Sequence, residues 1–200
     1  VPASYGGFET LAERLIEDCI PSYTIYCSGR HYHRTERQRD YKGARLVYLP
    51  ISANGAASVL YDVLSIIHAL ITGHRRLLIL GTSGALIIPW MVRLCPSANV
   101  VVNIDGIEWR RQKWRGVARR FLRLSEAVAV KHASTVVADN RAIADYVKSS
   151  YGRDCRTIAY GGDHAVVPPT EDAVNTVRGI GGLYAFGLCR IEPENNVHTI

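Results

Sequence analysis

The sequence predicts an α/β protein, a Rossmann-like doubly wound parallel sheet, and three observations lead there. From Tyr23 onward, short runs of β-branched and aromatic residues alternate with longer segments whose apolar residues recur at helical spacing, the pattern of a parallel sheet wound with helices. Glycine or polar residues close the apolar runs, as at Gly81 and Asp105. Composition agrees: hydrophobic residues at 48% and charged residues at 21% of 200 suit a soluble chain able to build a core.

Taken in order, a Pro/Gly-rich turn opens onto a helix over Glu9–Asp18, and strands follow over Tyr23–Cys27 and Arg45–Tyr48. A helix over Ser58–Thr72 then leads to a strand over Leu77–Leu80, and a helix over Leu86–Leu94 leads to a strand over Val100–Ile104. The pattern continues with a helix over Val117–His132, a strand over Thr135–Ala138, a helix over Arg141–Ser149 and a strand over Thr157–Ala159. Parallel folds of this kind place a strand before the opening turn, so the first strand is expected to be missing from the chain. Residues 1–165 are read as one domain, 166–182 as a Gly- and Pro-rich linker, and 183–200 as the truncated start of a second domain, with a strand over Leu183–Phe186 and the first turns of a helix over Glu194–Ile200.

The longest uncharged run, Leu77–Val92, is broken by Gly81, Gly84 and Pro89 and falls short of the roughly 20 residues that a bilayer span requires. With no secretory leader in view, a cytoplasmic location is expected, with the inner face of the cell membrane as a second setting. Five scattered cysteines without a C-x-x-C pair argue against a disulfide framework and a zinc site, and the seven histidines are equally scattered, so no metal is expected. The net charge of +6 points to an anionic partner.

Several segments carry the residue types that chemistry needs. Ser4-Tyr5-Gly6-Gly7-Phe8-Glu9 sets bare backbone N–H groups at a helix start, where an anion is favoured; a tight turn needing positive φ is the alternative. Gly81-Thr82-Ser83-Gly84 connects a strand to a helix, as a cleft lining or as an ordinary capped connection. Asn103-Ile104-Asp105-Gly106-Ile107-Glu108-Trp109 brings two carboxylates, a glycine and an aromatic ring to the end of an apolar strand. Asp105 is the candidate catalytic residue, with capping of the following turn as its alternative. Trp109, Arg110, Arg111, Lys113, Trp114 and Arg115 open a run of seven basic residues, ending at Arg123, that no acid interrupts. That run suits anionic lipid or a lipid-pyrophosphate acceptor, or else is the solvated face of a core helix. Arg190 follows a predicted strand and offers a planar fork to phosphate oxygens, or a salt bridge to Glu192 or Glu194.

Taken together, the stretches VPASYGGFETLAERL, VVVNIDGIEWRRQKWRGVARRFLRLSE, VVADNRAIADYV, IAYGGD and GLCRIEPENN resemble the family 4 retaining glycosyltransferases of the GT-B fold, in particular a bacterial rhamnosyltransferase-like subgroup of polysaccharide biosynthesis. The resemblance implies two Rossmann-like domains across a cleft, the acceptor held mainly by the first and the nucleotide-diphosphate sugar mainly by the second. It matches Gly6 and Gly7 to a glycine loop near the donor diphosphate and Arg190 to a diphosphate-binding arginine. Asn195 stands where that family usually has a lysine, and Asp105 where many relatives have a histidine near the donor sugar. Glu9, Gly81, Thr82 and Glu108 complete the expected donor-binding set. The expected reaction transfers a sugar from nucleotide-diphosphate sugar, the co-substrate in place of any cofactor, to a glycan or lipid-linked acceptor; no nucleic acid is expected as a partner. Little activity is expected from this chain alone, because the family's paired glutamates fall past Ile200. Two alternatives stay open: a basic module that binds anionic lipid or nucleic acid without catalysis, and a nucleotide-sugar epimerase of the same architecture.

Overall fold

The computed structural model describes residues 6–18, 23–30, 32–162 and 197–199. Its strands are β1 (Thr24–Ser28), β2 (Asp40–Tyr41), β3 (Ala44–Leu49), β4 (Arg76–Leu80), β5 (Asn99–Ile104), β6 (Thr135–Ala138) and β7 (Arg156–Thr157). Its helices are α1 (Gly7–Asp18), α2 (Ala57–Ile71), α3 (Ile88–Leu94), α4 (Gly116–His132) and α5 (Arg141–Tyr151). The chain folds as a Rossmann-like α/β domain: β4, β5, β6 and β7 form a wholly parallel sheet in that order.

Strand β5 is the spine of this sheet because its apolar residues Val100, Val101, Val102 and Ile104 suit a strand covered on both faces. Val100, Val102 and Ile104 are buried, and with Val136 and Ala138 of β6 they pack on Ile88 and Met91 of α3, Ala129 and Val130 of α4, and Ile143 and Val147 of α5. Each fully buried Val or Ile contributes roughly 1.5–3 kcal/mol relative to exposure. Right-handed crossovers between successive parallel strands place α3, α4 and α5 on one face of the sheet, with α4 packed between the other two.

A second sheet has the order β1-β3-β2, with β1 and β3 parallel and β2 joined to β3 as an antiparallel hairpin. Among the described residues no ladder joins the two sheets. Side chains tie them instead: Phe8 of α1 lies 3.6 Å from where a Cβ on Gly81 would stand, and Tyr26 of β1 shares a 2.9 Å hydrogen bond with Nδ1 of His68 on α2.

Three local expectations are corrected. The predicted helix over Leu86–Leu94 divides into a 3-10 turn (Ala85–Ile87) and α3, with Pro89 in the first turn of α3, where its missing N–H costs no helical bond. The last predicted strand, Thr157–Ala159, sits earlier, at Arg156–Thr157, because the ladder to Val137 and Ala138 ends there. The hairpin strand β2 was not predicted, being only two residues long. The predicted linker and the strand over Leu183–Phe186 lie outside the described residues; of Glu194–Ile200, Val197–Thr199 forms a 3-10 turn. No helix among the described residues is long and apolar enough to cross a membrane.

Candidate functional site

The carboxyl edge of the parallel sheet gathers most of the predicted residues, because the loops that leave β4, β5 and β6 all emerge there. Open α/β sheets bind their ligands outside this edge.

The loop after β4 is anchored rather than free. Gly81 takes φ +93, a conformation open to glycine, and its N–H donates to the Asn103 carbonyl at 3.0 Å. Ser125 of α4 donates its hydroxyl to the Thr82 carbonyl at 2.5 Å. The Ser83 hydroxyl donates to Asp62 of α2, and a Cβ on Gly84 would overlap the Asp62 side chain. Desolvation raises the Asp62 carboxyl to about 6, against the lowering effect of the Ser83 hydroxyl and the Gly84 N–H. Ser83 thus holds the loop, and Thr82 offers its carbonyl to α4.

The glycine turn of α1 meets this loop through Phe8. Gly6 accepts the N–H groups of Glu9 and Thr10 at 3.1 and 3.2 Å. Gly7 takes no positive φ, so the strained-turn alternative does not account for it. A Cβ at Gly6 or Gly7 would touch nothing within 4 Å, leaving the backbone bare toward open space. Glu9 lies in the first turn of the helix.

Asp105 follows directly on β5. Desolvation raises its carboxyl, and the charge of Asp139 raises it further, with smaller effects from Glu108 and, in the lowering sense, Arg111. Asp139 closes β6, the strand paired with β5. Its Oδ1 is buried and has no hydrogen-bond partner among the described residues, and desolvation raises its carboxyl as well. Beneath the pair, buried Asn103 donates its amide to the Tyr160 hydroxyl at 2.8 Å. Tyr160 is pushed up to about 12, chiefly by desolvation and then by the charges of Asp105 and Asp139. Two carboxyls, exposed Asp105 and half-buried Asp139, thus lie at neighbouring strand ends, close enough to act on each other and on the phenol of Tyr160 that bonds the buried Asn103 amide.

Asp139 and Tyr160 are the residues that the sequence reading missed. The signal for Asp139 was there: like Asp105, it is an acid placed immediately after an apolar strand. For Tyr160 no spacing rule offered a clue, since its partner Asn103 lies far away in sequence.

The tryptophan and arginine segment divides in two. Glu108 accepts from Trp114 Nε1 at 2.8 Å and pairs with Lys113 at 2.9 Å and Arg111 at 3.3 Å. Glu108, Arg111, Lys113 and Trp114 thus form one knot. Trp109 donates Nε1 to Glu126 at 3.2 Å. Glu126 is only 1% exposed and also accepts from the hydroxyls of Tyr146 at 2.5 Å and Tyr151 at 2.6 Å. Over the Trp109 ring stack the guanidiniums of Arg110, Arg119 and Arg123, at 5.3, 5.4 and 5.3 Å from its centroid. Both tryptophans are half-buried, with their indole N–H groups engaged; Arg115 is exposed. Arg190 and Asn195 lie outside the described residues. Among the described residues, no group of three or more His, Cys, Asp or Glu could hold a metal ion.

Fold and edge together define an α/β domain of Rossmann type with a polar, carboxylate-bearing site at the carboxyl ends of its parallel strands. Residues 1–163 match the family described as Domain of unknown function (DUF1972), and the chain belongs to that family. No curated protein matches the chain.

Proposed function

We propose that the protein is a retaining glycosyltransferase that moves a sugar from a nucleotide-diphosphate sugar to a glycan or lipid-linked acceptor in bacterial surface polysaccharide synthesis, at the inner face of the cell membrane. The resemblance of its motifs to family 4 glycosyltransferases, and to their rhamnosyltransferase-like subgroup, supports the reading. The observation that carries it is the carboxyl pair Asp105–Asp139 at the carboxyl ends of neighbouring parallel strands, on the edge where Phe8, next to Gly6–Gly7, meets Gly81.

In this reading each group has a distinct task. The backbone at Gly6–Gly7 and the start of α1 favour the donor diphosphate, and Arg190 and Asn195 belong to the same donor contact. Asp105, set at its strand end beside Asp139, orients the reacting sugar or accepts a hydrogen bond from the acceptor hydroxyl, whose proton passes to the departing phosphate. The departing phosphate helps to deprotonate the acceptor hydroxyl on the face that it leaves, so the anomeric configuration is kept.

The test is product analysis. Full-length protein is incubated with a panel of nucleotide-diphosphate sugars and lipid-linked acceptors, and the product linkage is read by NMR. A new glycosidic bond with the donor's anomeric configuration is the expected result. An inverted configuration, or an epimerised donor with no transfer, would refute the reading.

A further inference from the structure

Helices α3 and α4 lie side by side on one face of the sheet, and their outward surfaces are unusually apolar. On α3, Ile88 and Met91 turn inward, which leaves Trp90 and Leu94, one helical turn apart, 64% and 78% exposed. On α4 the inward stripe is Leu122, Ser125, Glu126, Ala129 and Val130. The opposite stripe, Val117, Arg120 and Leu124 at i, i+3 and i+7, leaves Val117 83% and Leu124 56% exposed.

The charge of the two helices has one exposed sign. They carry Arg93, Arg120 and Lys131, together with Arg119 and Arg123 stacked over Trp109, and their sole acid, Glu126, is buried beneath Trp109. Scattered exposed Leu or Val residues would mean little. Four large apolar side chains exposed on the outward sides of two adjoining helices, with Arg93 and Arg120 exposed among them, are a different matter.

We infer that the α3–α4 face docks on an anionic lipid bilayer, with Trp90, Leu94, Val117 and Leu124 entering the interface and Arg93 and Arg120 meeting the phosphates. Charge complementarity decides the occupant: a second copy would bring the same arginines against these, whereas anionic headgroups attract each basic residue. The surface differs from the Trp109–Arg115 segment that the sequence pointed to, where Trp109 and Trp114 are half-buried and donate their indole N–H groups to Glu126 and Glu108. Val117 lies in the first turn of α4, just past the loop that begins at Asp105, so docking brings the carboxyl edge close to a lipid-linked substrate. In that respect the inference rests on the proposed transfer reaction; the binding itself does not.

The experiment needs no sugar nucleotide, so its failure and the failure of the transferase reading can be told apart. Full-length protein is sedimented with vesicles of phosphatidylcholine alone and of phosphatidylcholine mixed with phosphatidylglycerol, at low and high salt, and tryptophan emission is recorded. The expected result is binding to the anionic vesicles only, lost at high salt, with a blue shift in emission that disappears in Trp90→Phe. The pair Arg93→Gln and Arg120→Gln should weaken binding roughly tenfold or more. Leu94→Ser with Val117→Ser, checked for unchanged circular dichroism, should weaken it by a similar factor. Absence of vesicle binding, equal binding to neutral vesicles, or a Trp90→Phe variant that keeps the shift would overturn the inference. So would light scattering that shows a dimer dispersed by Leu94→Ser without any lipid binding.

Discussion

Asp105 and Asp139 close two neighbouring parallel strands, and their carboxyls are linked: desolvation raises Asp105 first, and the charge of Asp139 raises it further. A raised carboxyl stays protonated to higher pH, so activity that needs ionised Asp105 falls on the acid side above the usual carboxylate range near pH 4. Replacing Asp139 by Asn removes the charge and lowers the Asp105 pKa. The acid limb of kcat/KM for Asp139→Asn should therefore move to lower pH than in the wild type. A profile that stays in place would separate the two groups.

Asp62 makes a second pH prediction, on stability. Its folded value of about 6 lies above the ordinary 3.8 because burial disfavours the charge. The folded state thus holds the proton more tightly than the unfolded chain does. The associated stability is fully present below about pH 4 and is lost as pH rises through 6, by up to about 3 kcal/mol. Asp62→Asn should flatten the dependence of Tm on pH between 4 and 7 relative to the wild type, in thermal melts across that window.

The loop after β4 depends on glycine for space. A methyl at Gly84 would overlap the Asp62 Cβ and press on its backbone carbon at 3.3 Å. Gly84→Ala should destabilise the fold by roughly 1–3 kcal/mol, the usual cost of overpacking, read from urea unfolding. An unchanged midpoint would mean that α2 yields without cost.

Glu126 is a structural carboxylate, placed under the arginine-stacked ring of Trp109 and held by three neutral donors. Truncation removes the acceptor shared by Trp109, Tyr146 and Tyr151, leaving the Trp109 N–H without it and the two hydroxyls only each other, at 3.3 Å. Glu126→Ala should cost on the order of 3 kcal/mol, and Glu126→Gln, which keeps an acceptor oxygen, clearly less. Calorimetry of the two variants checks the ordering.

Much of the fold was legible because apolar periodicity decides it. Strands β4, β5 and β6 and helices α2, α4 and α5 begin and end within two residues of the positions that their patterns imply. The hairpin strand β2 left no periodic trace, since it pairs over only two residues. Within the site, Asp105 could be found because strand ends are informative, and Asp139 could have been found in the same way. The Asn103–Tyr160 and Trp109–Glu126 bonds could not be read in advance, because each joins residues whose proximity arises from tertiary packing, whereas the Trp114–Glu108 bond spans only six residues. Trp90 is the converse case: it sits in an apolar run that reads as core, yet the phase of a short helix turns it outward.

The most direct test measures release of nucleoside diphosphate from nucleotide-diphosphate sugars by the full-length protein, with and without a lipid-linked acceptor, for the wild type and Asp105→Asn. The account predicts release that requires acceptor and falls about 100-fold in the variant while its Tm is retained. Equal release by both proteins, or no release with any donor and acceptor pair, would contradict it.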